Sequence, residues 1–321
     1  MKAALVRVLG QPPSYGDYED PTPRPGEVIV SVVAAAASRL VTSRASGTHY
    51  SAETQLPFVP GVDGVGRAPD GKRVFFAFPR PPFGTMAERA PVSPDFLIPL
   101  PNGLDDVTAA AAANPGMSCW VPLSRRARIR PGESVLVNGA TGVAGRMAIQ
   151  VAKYLGARKV IATGRDDTKL GALGPLGADV VLSLRQPPEE LSEAIRREAR
   201  ASEIGVVLDY LWGPSAETIL NALGGPHAPR GTARIQYVQV GSVAGPVISL
   251  AGDKLRSSGL ELLGSGLGSS SLPELAAGIG EFLKAFVDGR FHVAMEAHPL
   301  SDVERAWSET AGDKRIVFTI P

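Results

Sequence analysis

The chemistry legible in this sequence is concentrated in one run, SVLVNGATGVAGRMAIQVAKYL, at 134–155. A β-branched apolar stretch leads into glycines at 139, 142 and 145, after which Val143, Met147, Val151 and Leu155 recur on one helical face. Strand, glycine turn and helix in direct succession leave backbone N–H groups at the helix start unshielded by any Cβ, which suits them to an anionic diphosphate. The residues expected to line it are Gly139, Ala140, Thr141, Gly142, Val143, Ala144 and Gly145. The same glycines would also serve a tight strand-to-helix turn that binds nothing. Gly156 then supplies a helix stop.

A site that prefers NAD places an acid at the end of the second strand, roughly 20 residues past the glycines, to hold the adenosine ribose. Here that point reads VIATGRDDTKL, so it carries Thr163, Gly164 and Arg165. A small residue followed by arginine leaves room for a 2′-phosphate and offers it a planar, permanent cation. Lys169, one helical turn on, adds a second positive charge. The expected cofactor is therefore NADPH. In the alternative, both cations are merely solvated and Asp166 or Asp167 caps the next helix; those acids also keep NAD open, since one of them can reach the ribose.

Composition narrows the remaining possibilities. The 33 basic and 32 acidic side chains nearly cancel in 321 residues, which leaves no electrostatic footprint for nucleic acid or anionic lipid. Cys119 stands alone, so neither an internal disulfide nor a cysteine-built zinc site can form, and a buried apolar role is expected for it. The opening MKAALVRVLG lacks the apolar run of a signal peptide, and no later segment reaches the roughly 18 apolar residues of a membrane span, so a cytoplasmic location is expected.

The elements that must position these groups divide the chain. Residues 1–110 show short strand-like runs, as at 27–33 and 73–78, broken by proline and glycine. From about Asp105 helix-forming and strand-forming runs alternate. Strands are expected at 134–137, 160–162, 180–182, 206–209, 234–240 and 260–263, with helices at 143–155, 166–173, 189–200 and 215–223. Six strands with intervening helices match a doubly wound dinucleotide fold. The tail, with a helix at 273–288, a strand, a short helix at 301–309 and a last strand at 315–320, is expected to fold back onto the first lobe.

Several segments in this order carry a family resemblance: GEVIVSVVAAAASRL at 26–40, LPFVPGVDGVG at 56–66, GKRVFF at 71–76, AAAANPGMSCW at 110–120, the glycine turn, and VQVGSVAG at 238–245. Over essentially its whole length the chain resembles the medium-chain dehydrogenase/reductase superfamily, in particular its zinc-independent, quinone oxidoreductase-like branch. The resemblance implies an α/β protein: a Rossmann doubly wound parallel sheet that binds NADPH at 113–264, plus a GroES-like, mostly β catalytic domain at 1–112 completed by 265–321. Where zinc-dependent relatives carry a Cys, a His with a neighbouring acid, and a third Cys or Asp, this sequence has Ser38, the pair Val62-Asp63, and Asn114. Those groups bind zinc poorly. The cysteine-rich structural zinc loop is also missing, and His49, His227, His292 and His298 are scattered without ligand spacing, so no metal is expected.

The resemblance names catalytic candidates Ser38, Arg39, Tyr50 and Asp63, and places Asn114, Met117, the loop Val240-Gly241-Ser242, Leu267 and Gly268 beside the cofactor. Tyr50 would donate a hydrogen bond or proton to a developing enolate, although an unshifted phenol is a slow acid; equally, it packs over a loop. Ser38 would bond a substrate oxygen or satisfy a backbone group. Arg39 suggests an anionic or oxygen-rich substrate only if it faces a cleft. Leu211 and Trp212 follow the fourth strand and so line the crevice at the carboxyl ends of the sheet, or in the case of Trp212 fill the core. Without a Lewis acid the expected reaction is hydride transfer to a quinone or an α,β-unsaturated carbonyl, which accept hydride at carbon and spread charge onto oxygen. The alternatives are a catalytically weak, NADPH-binding crystallin-like or regulatory protein, and a metal-free alcohol or ketone oxidoreductase. A homodimer through the Rossmann edge strands, at 245–263, is also expected.

Overall fold

Short apolar runs broken by proline and glycine form the first set of strands, with most positions of those at 28–37, 63–67, 73–77 and 89–92 buried. The computed structural model describes residues 1–49, 51–53, 55–225, 234–311 and 314–321. The strands β1 (Lys2–Leu5) and β2 (Ser14–Asp17) form an antiparallel pair. They are followed by β3 (Val28–Ala37), helix α1 (Arg39–Ala45), β4 (Asp63–Arg67), β5 (Arg73–Ala77), β6 (Arg89–Val92) and β7 (Leu97–Pro99). The long helix α2 (Asp106–Val121) comes next, with Pro115 inside it.

Beyond α2 the four central strands of the next sheet are apolar runs buried almost throughout, as a parallel sheet covered by helices requires, while the two outer strands at 180–183 and 260–264 are more exposed. β8 (Ser134–Asn138), β9 (Lys159–Gly164), β10 (Val180–Ser183), β11 (Ile204–Asp209), β12 (Ile235–Gln239) and β13 (Leu260–Gly264) form one parallel sheet in the order β10-β9-β8-β11-β12-β13. Strand order reverses between β8 and β11, the arrangement of a Rossmann fold, which binds its ligand at the carboxyl ends of the strands at that switch point. The connecting helices are α3 (Val143–Tyr154), α4 (Asp167–Gly171), α5 (Pro188–Ser202), α6 (Gly213–Leu223) and α7 (Gly252–Arg256). α4 stops before residue 173 because Gly171, Gly174 and Pro175 favour a 3-10 turn, Gly174–Leu176, over further α-helix.

The tail supplies α8 (Leu272–Asp288), β14 (Met295–Pro299), α9 (Val303–Ala306) and β15 (Arg315–Thr319). β15 lies antiparallel to β3, pairing Ile316 with Ala37 and Thr319 with Ala34, and parallel to β14. The resulting sheet runs β14-β15-β3-β4-β5-β7, with β6 also paired to β3, and packs a core that includes Leu5, Phe76, Met86 and Phe318. Where a single short helix was expected at 301–309, one α turn stands between two 3-10 turns, since so few residues cannot sustain a propagating helix. The chain thus divides into two compact units, Met1–Asn114 with Ala276–Pro321, and Pro115–Leu275. Among the described residues, no helix is long and apolar enough to cross a membrane.

Candidate functional site

The glycine turn is built by close approach. Gly139 leaves β8 at φ +88°, and a Cβ there would lie 2.9 Å from Leu211 Cγ. The Ala140 N–H donates to Thr163 O at 2.8 Å, which ties the turn to the end of β9. Gly142 is the exposed N-cap of α3 and offers no side chain to its N–H groups; a Cβ there would meet only Gly139 O, at 3.9 Å. Gly145, inside the first turn, would place a Cβ 2.5 Å from Gly139 O and 2.6 Å from Ala140 Cα. The helix therefore starts hard against its own turn. Its first N–H groups, without intrahelical partners and at the positive end of the helix dipole, are left for an anion. Ala140 is buried, whereas Thr141, Val143 and Ala144 are partly exposed.

At the end of β9, Thr163 is buried and its hydroxyl is turned inward, donating to Asn138 Oδ1 at 2.7 Å and accepting from the Gly139 N–H at 3.2 Å. Gly164 lies against Thr141, so close that a Cβ would fall 2.5 Å from its Cγ2. Arg165 is exposed. Asp166 caps α4, accepting from the Lys169 N–H at 3.1 Å, while the Lys169 ammonium stands 3.9 Å from the same carboxylate. One of the two acids that kept NAD open is thus engaged as a helix cap.

A buried polar chain crosses the sheet beneath the crevice, and spacing in the sequence did not reveal it. Asn138 Nδ2 donates to Asp209 Oδ1 at 2.7 Å and lies 3.0 Å from Ser215 Oγ; Tyr237 Oη donates to Asp209 Oδ2 at 2.7 Å. Burial pushes the Asp209 carboxyl up from its ordinary value, opposed by hydrogen bonds from Tyr237, Leu211, Trp212 and Asn138. Burial also drives the Tyr237 phenol well up. The available signal was a polar residue closing an otherwise apolar strand, as in SVLVN and IGVVLD. Asp209 O also accepts from the N–H groups of Val240 (2.8 Å) and Gly241 (3.1 Å), and Ser242 is exposed beside them. Leu267 and Gly268 are exposed, the latter at φ +96°. Asn114 and Met117 sit partly buried on α2.

In the first unit, Ser38 is buried and caps α1, its Oγ accepting from the Val41 N–H at 3.2 Å. Arg39 is exposed in the first turn of that helix. Asp63 opens β4 at the same end of the sheet, since Ala35 of β3 pairs with Gly64. It is buried, and neither carboxylate oxygen has a hydrogen-bond partner among the described residues. Burial lifts its carboxyl to about 7, and the buried Arg315 guanidinium offsets part of that rise. Tyr50 and His227 lie outside the described residues.

The donor set argues against zinc at the positions where metal-dependent relatives hold it. At those positions Ser38 serves as a cap, Val62 has no donor, Asp63 is a buried carboxylate and Asn114 is partly buried on α2; the lone Cys119, elsewhere on α2, is buried with its thiol against Pro115 O and Gly116 O, its ionisation opposed by burial. Among the described residues, the side chains that bring three potential ligand atoms within 4.8 Å are Glu296, His298 and Glu309. There Lys314 already pairs with Glu296 at 2.9 Å and Arg305 with Glu309 at 3.7 Å, an ion-pair network on the outer strand β14 and the turn after α9.

Residues 144–280 match the zinc-binding dehydrogenase family. Over 99% of this chain and 99% of the relative, the sequence is 30% identical to a probable NADPH-dependent quinone reductase of Emericella nidulans. An alcohol dehydrogenase of Rhizobium meliloti is 30% identical over 61% of this chain and 67% of that protein. Among solved structures, a mycobacterial quinone oxidoreductase superposes with a TM-score of 0.86 at 22% identity, over 99% of each chain. A mycobacterial structure complexed with NADPH gives 0.83 at 23% identity, over 99% of this chain and 100% of that one. At such identities these two structures establish the fold.

Proposed function

Because the chain belongs to the medium-chain dehydrogenase/reductase family, among its quinone oxidoreductase-like members, we propose that it uses NADPH to reduce a quinone or an α,β-unsaturated carbonyl with no metal ion taking part. The observation that carries this reading is the exposed start of α3, where the cap Gly142 has no side chain to occupy the first N–H groups, at the point where the strand order reverses. Bound there, NADPH supplies the hydride from its nicotinamide ring. The N–H groups of residues 143–145 hold the diphosphate, and Gly145 lets the helix lie close enough to its turn to present them. Arg165 serves the 2′-phosphate with a planar cation and Lys169 adds charge, while one oxygen of Asp166 caps α4. The loop Val240-Gly241-Ser242, with Asn114, Met117, Leu267 and Gly268, completes the cofactor contacts.

Quinones and enones need hydrogen-bond donors for the oxygen that gains charge, then a proton, and no Lewis acid. Ser38 accepts a hydrogen bond in its cap, which leaves its own O–H to donate to a substrate oxygen. Tyr50 is the proton donor by family resemblance, and Arg39 at the start of α1 favours an oxygen-rich acceptor. Asp63, buried near Arg315, sets the field at that end of the sheet. Calorimetric titration with NADPH and NADH, followed by NADPH oxidation with a panel of quinones, enones and ketones, tests this reading. Tight NADPH binding with turnover on quinones or enones is expected; binding without turnover on any acceptor would favour a non-enzymatic role, and no binding would refute the reading.

The molecule is also proposed to pair through β13. Among the described residues that strand bonds within the sheet to β12 alone, and Val243, Val247, Leu255 and Leu262 are exposed on and before it. Light scattering should give a dimer, and a monomer at working concentration would remove this part of the proposal.

A further inference from the structure

The polar chain beneath the crevice joins groups that the sequence keeps far apart. Thr163, Asn138, Asp209 and Tyr237 belong to β9, β8, β11 and β12, four adjacent strands, and are linked side chain to side chain by hydrogen bonds of 2.7 Å. Each of the four is buried. Asp209 is where the chain meets the most donors. Its Oδ1 accepts from Asn138 Nδ2, from the Leu211 N–H at 2.8 Å and from the Trp212 N–H at 3.1 Å, and its Oδ2 accepts from Tyr237 Oη and again from the Trp212 N–H at 3.1 Å. Its backbone carbonyl takes the N–H groups of Val240 and Gly241. One position therefore ties down both loops that leave β11 and β12, the first through its carboxylate and the second through its main-chain carbonyl.

Those loops are held in a form they would not adopt freely. Trp212 has φ +57° and ψ −156°, a region almost closed to a residue with a bulky side chain. Its N–H is bound by the Asp209 carboxylate, and its ring meets the edge of Tyr237 at 6.2 Å. Gly213 follows at φ +57°, so close to the second loop that a Cβ would lie 2.8 Å from Ala244 O. Leu211, in turn, packs against Gly139 of the diphosphate turn. A buried carboxylate is costly unless its acceptor sites are filled, so the arrangement is stable as a set and loose if one member is removed.

In a doubly wound sheet the strands on one side of the switch point serve the adenosine half of a dinucleotide, and those on the other side serve the second half. β8, β9 and β10 carry the glycine turn and Arg165, so β11 and β12 face the nicotinamide half. We propose that Asp209 is the positioning residue for that half: it touches no ligand, but it sets the loops at 210–213 and 240–242 against which the nicotinamide nucleotide is placed. The inference rests on the dinucleotide reading given above and adds to it a division of labour within the site.

The test compares two ligands on the full chain: NADPH, and adenosine 2′,5′-bisphosphate, which contains only the adenosine half. In Asp209→Asn one oxygen still accepts, while the charge and the second acceptor are lost. The dissociation constant for NADPH is expected to rise about tenfold, as the loss of charge-assisted hydrogen bonds implies, while that for the bisphosphate stays within about twofold of wild type. Tyr237→Phe, which removes one donor and leaves the carboxylate its other partners, should shift NADPH binding in the same direction by a smaller factor, and it carries the test if the Asn variant does not fold. Unchanged NADPH affinity in a folded variant would overturn the proposal. So would an equal loss for both ligands, which would make Asp209 a general scaffold residue. If the wild-type chain binds neither ligand, the cofactor reading itself falls and takes this one with it. Wild-type binding of both, with no selective loss in the variants, condemns the Asp209 proposal alone.

Discussion

Replacing Asp63 with Asn should flatten the pH dependence of folding stability below neutrality. Burial raises the native carboxyl from an ordinary value of 3.8 to about 7, with Arg315 acting against the rise. A carboxyl whose folded pKa lies above its unfolded one stabilises the fold fully at pH values below the unfolded pKa, because the native state holds the proton more tightly. That contribution is lost as pH rises, and it is gone once pH has passed through about 7. Between those limits the loss runs at about 1.4 kcal/mol per pH unit, or about 4 kcal/mol in all. From pH 5 to pH 7 the wild-type protein should therefore lose about 2 to 3 kcal/mol relative to Asp63→Asn, which has the same shape and no titrating group. Urea unfolding of both proteins at half-unit steps from pH 5 to pH 8 measures this difference. It should grow steadily to about pH 7 and then level off. Parallel curves across the whole range would refute the reasoning, since they would mean that Asp63 ionises at its ordinary pKa in the folded protein and is neither desolvated nor unpaired.

Three further outcomes are expected. Arg165→Ala should raise the KM for NADPH by about 10- to 100-fold while changing that for NADH far less, because only the 2′-phosphate needs the guanidinium; equal effects on both coenzymes in steady-state assays would remove Arg165 from the site. Gly145→Ala would thrust a methyl group to within 2.5 Å of Gly139 O, so α3 must back away from its turn. About 1 to 3 kcal/mol of stability and most of the NADPH affinity should go, as read by thermal melting and titration, and a variant that binds normally would contradict the close-packing argument. Tyr50→Phe should slow enone reduction more than quinone reduction, since the aryloxide that a quinone becomes is a stabilised anion that needs less help from a donor than an enolate does. Wild-type turnover on both acceptors would exclude the phenol from the mechanism.

Much of the second unit's architecture was legible because its signals are local. An apolar β-branched run, a glycine, and an apolar stripe at helical period recur down the chain, and the strands beginning near Ser134, Val180 and Leu260 fall close to where those patterns place them. Boundaries moved where glycine and proline shift the balance from α to 3-10, as after Gly171. Arg165 and Asp166 show a different limit. Sequence names both as candidates for the ribose position, but only geometry shows one Asp166 oxygen engaged by the Lys169 N–H. The Asn138–Asp209–Tyr237 chain is a third kind. Its members are up to 99 residues apart, Tyr237 against Asn138; taken singly, Asn138 and Asp209 are only polar residues closing strands, and Tyr237 is an aromatic in the middle of one. Their function as a set arises from strand order, which no spacing in the sequence encodes.

In the proposed reaction a diphosphate rests on the bend after Asn138 and hydride moves without a metal. The most direct measurement is the rate of NADPH oxidation by a simple quinone after exhaustive dialysis against a strong chelator, with zinc content determined on the same sample. An undiminished rate is expected in protein carrying no stoichiometric zinc. A rate that collapses on chelation and returns when zinc is restored would contradict it.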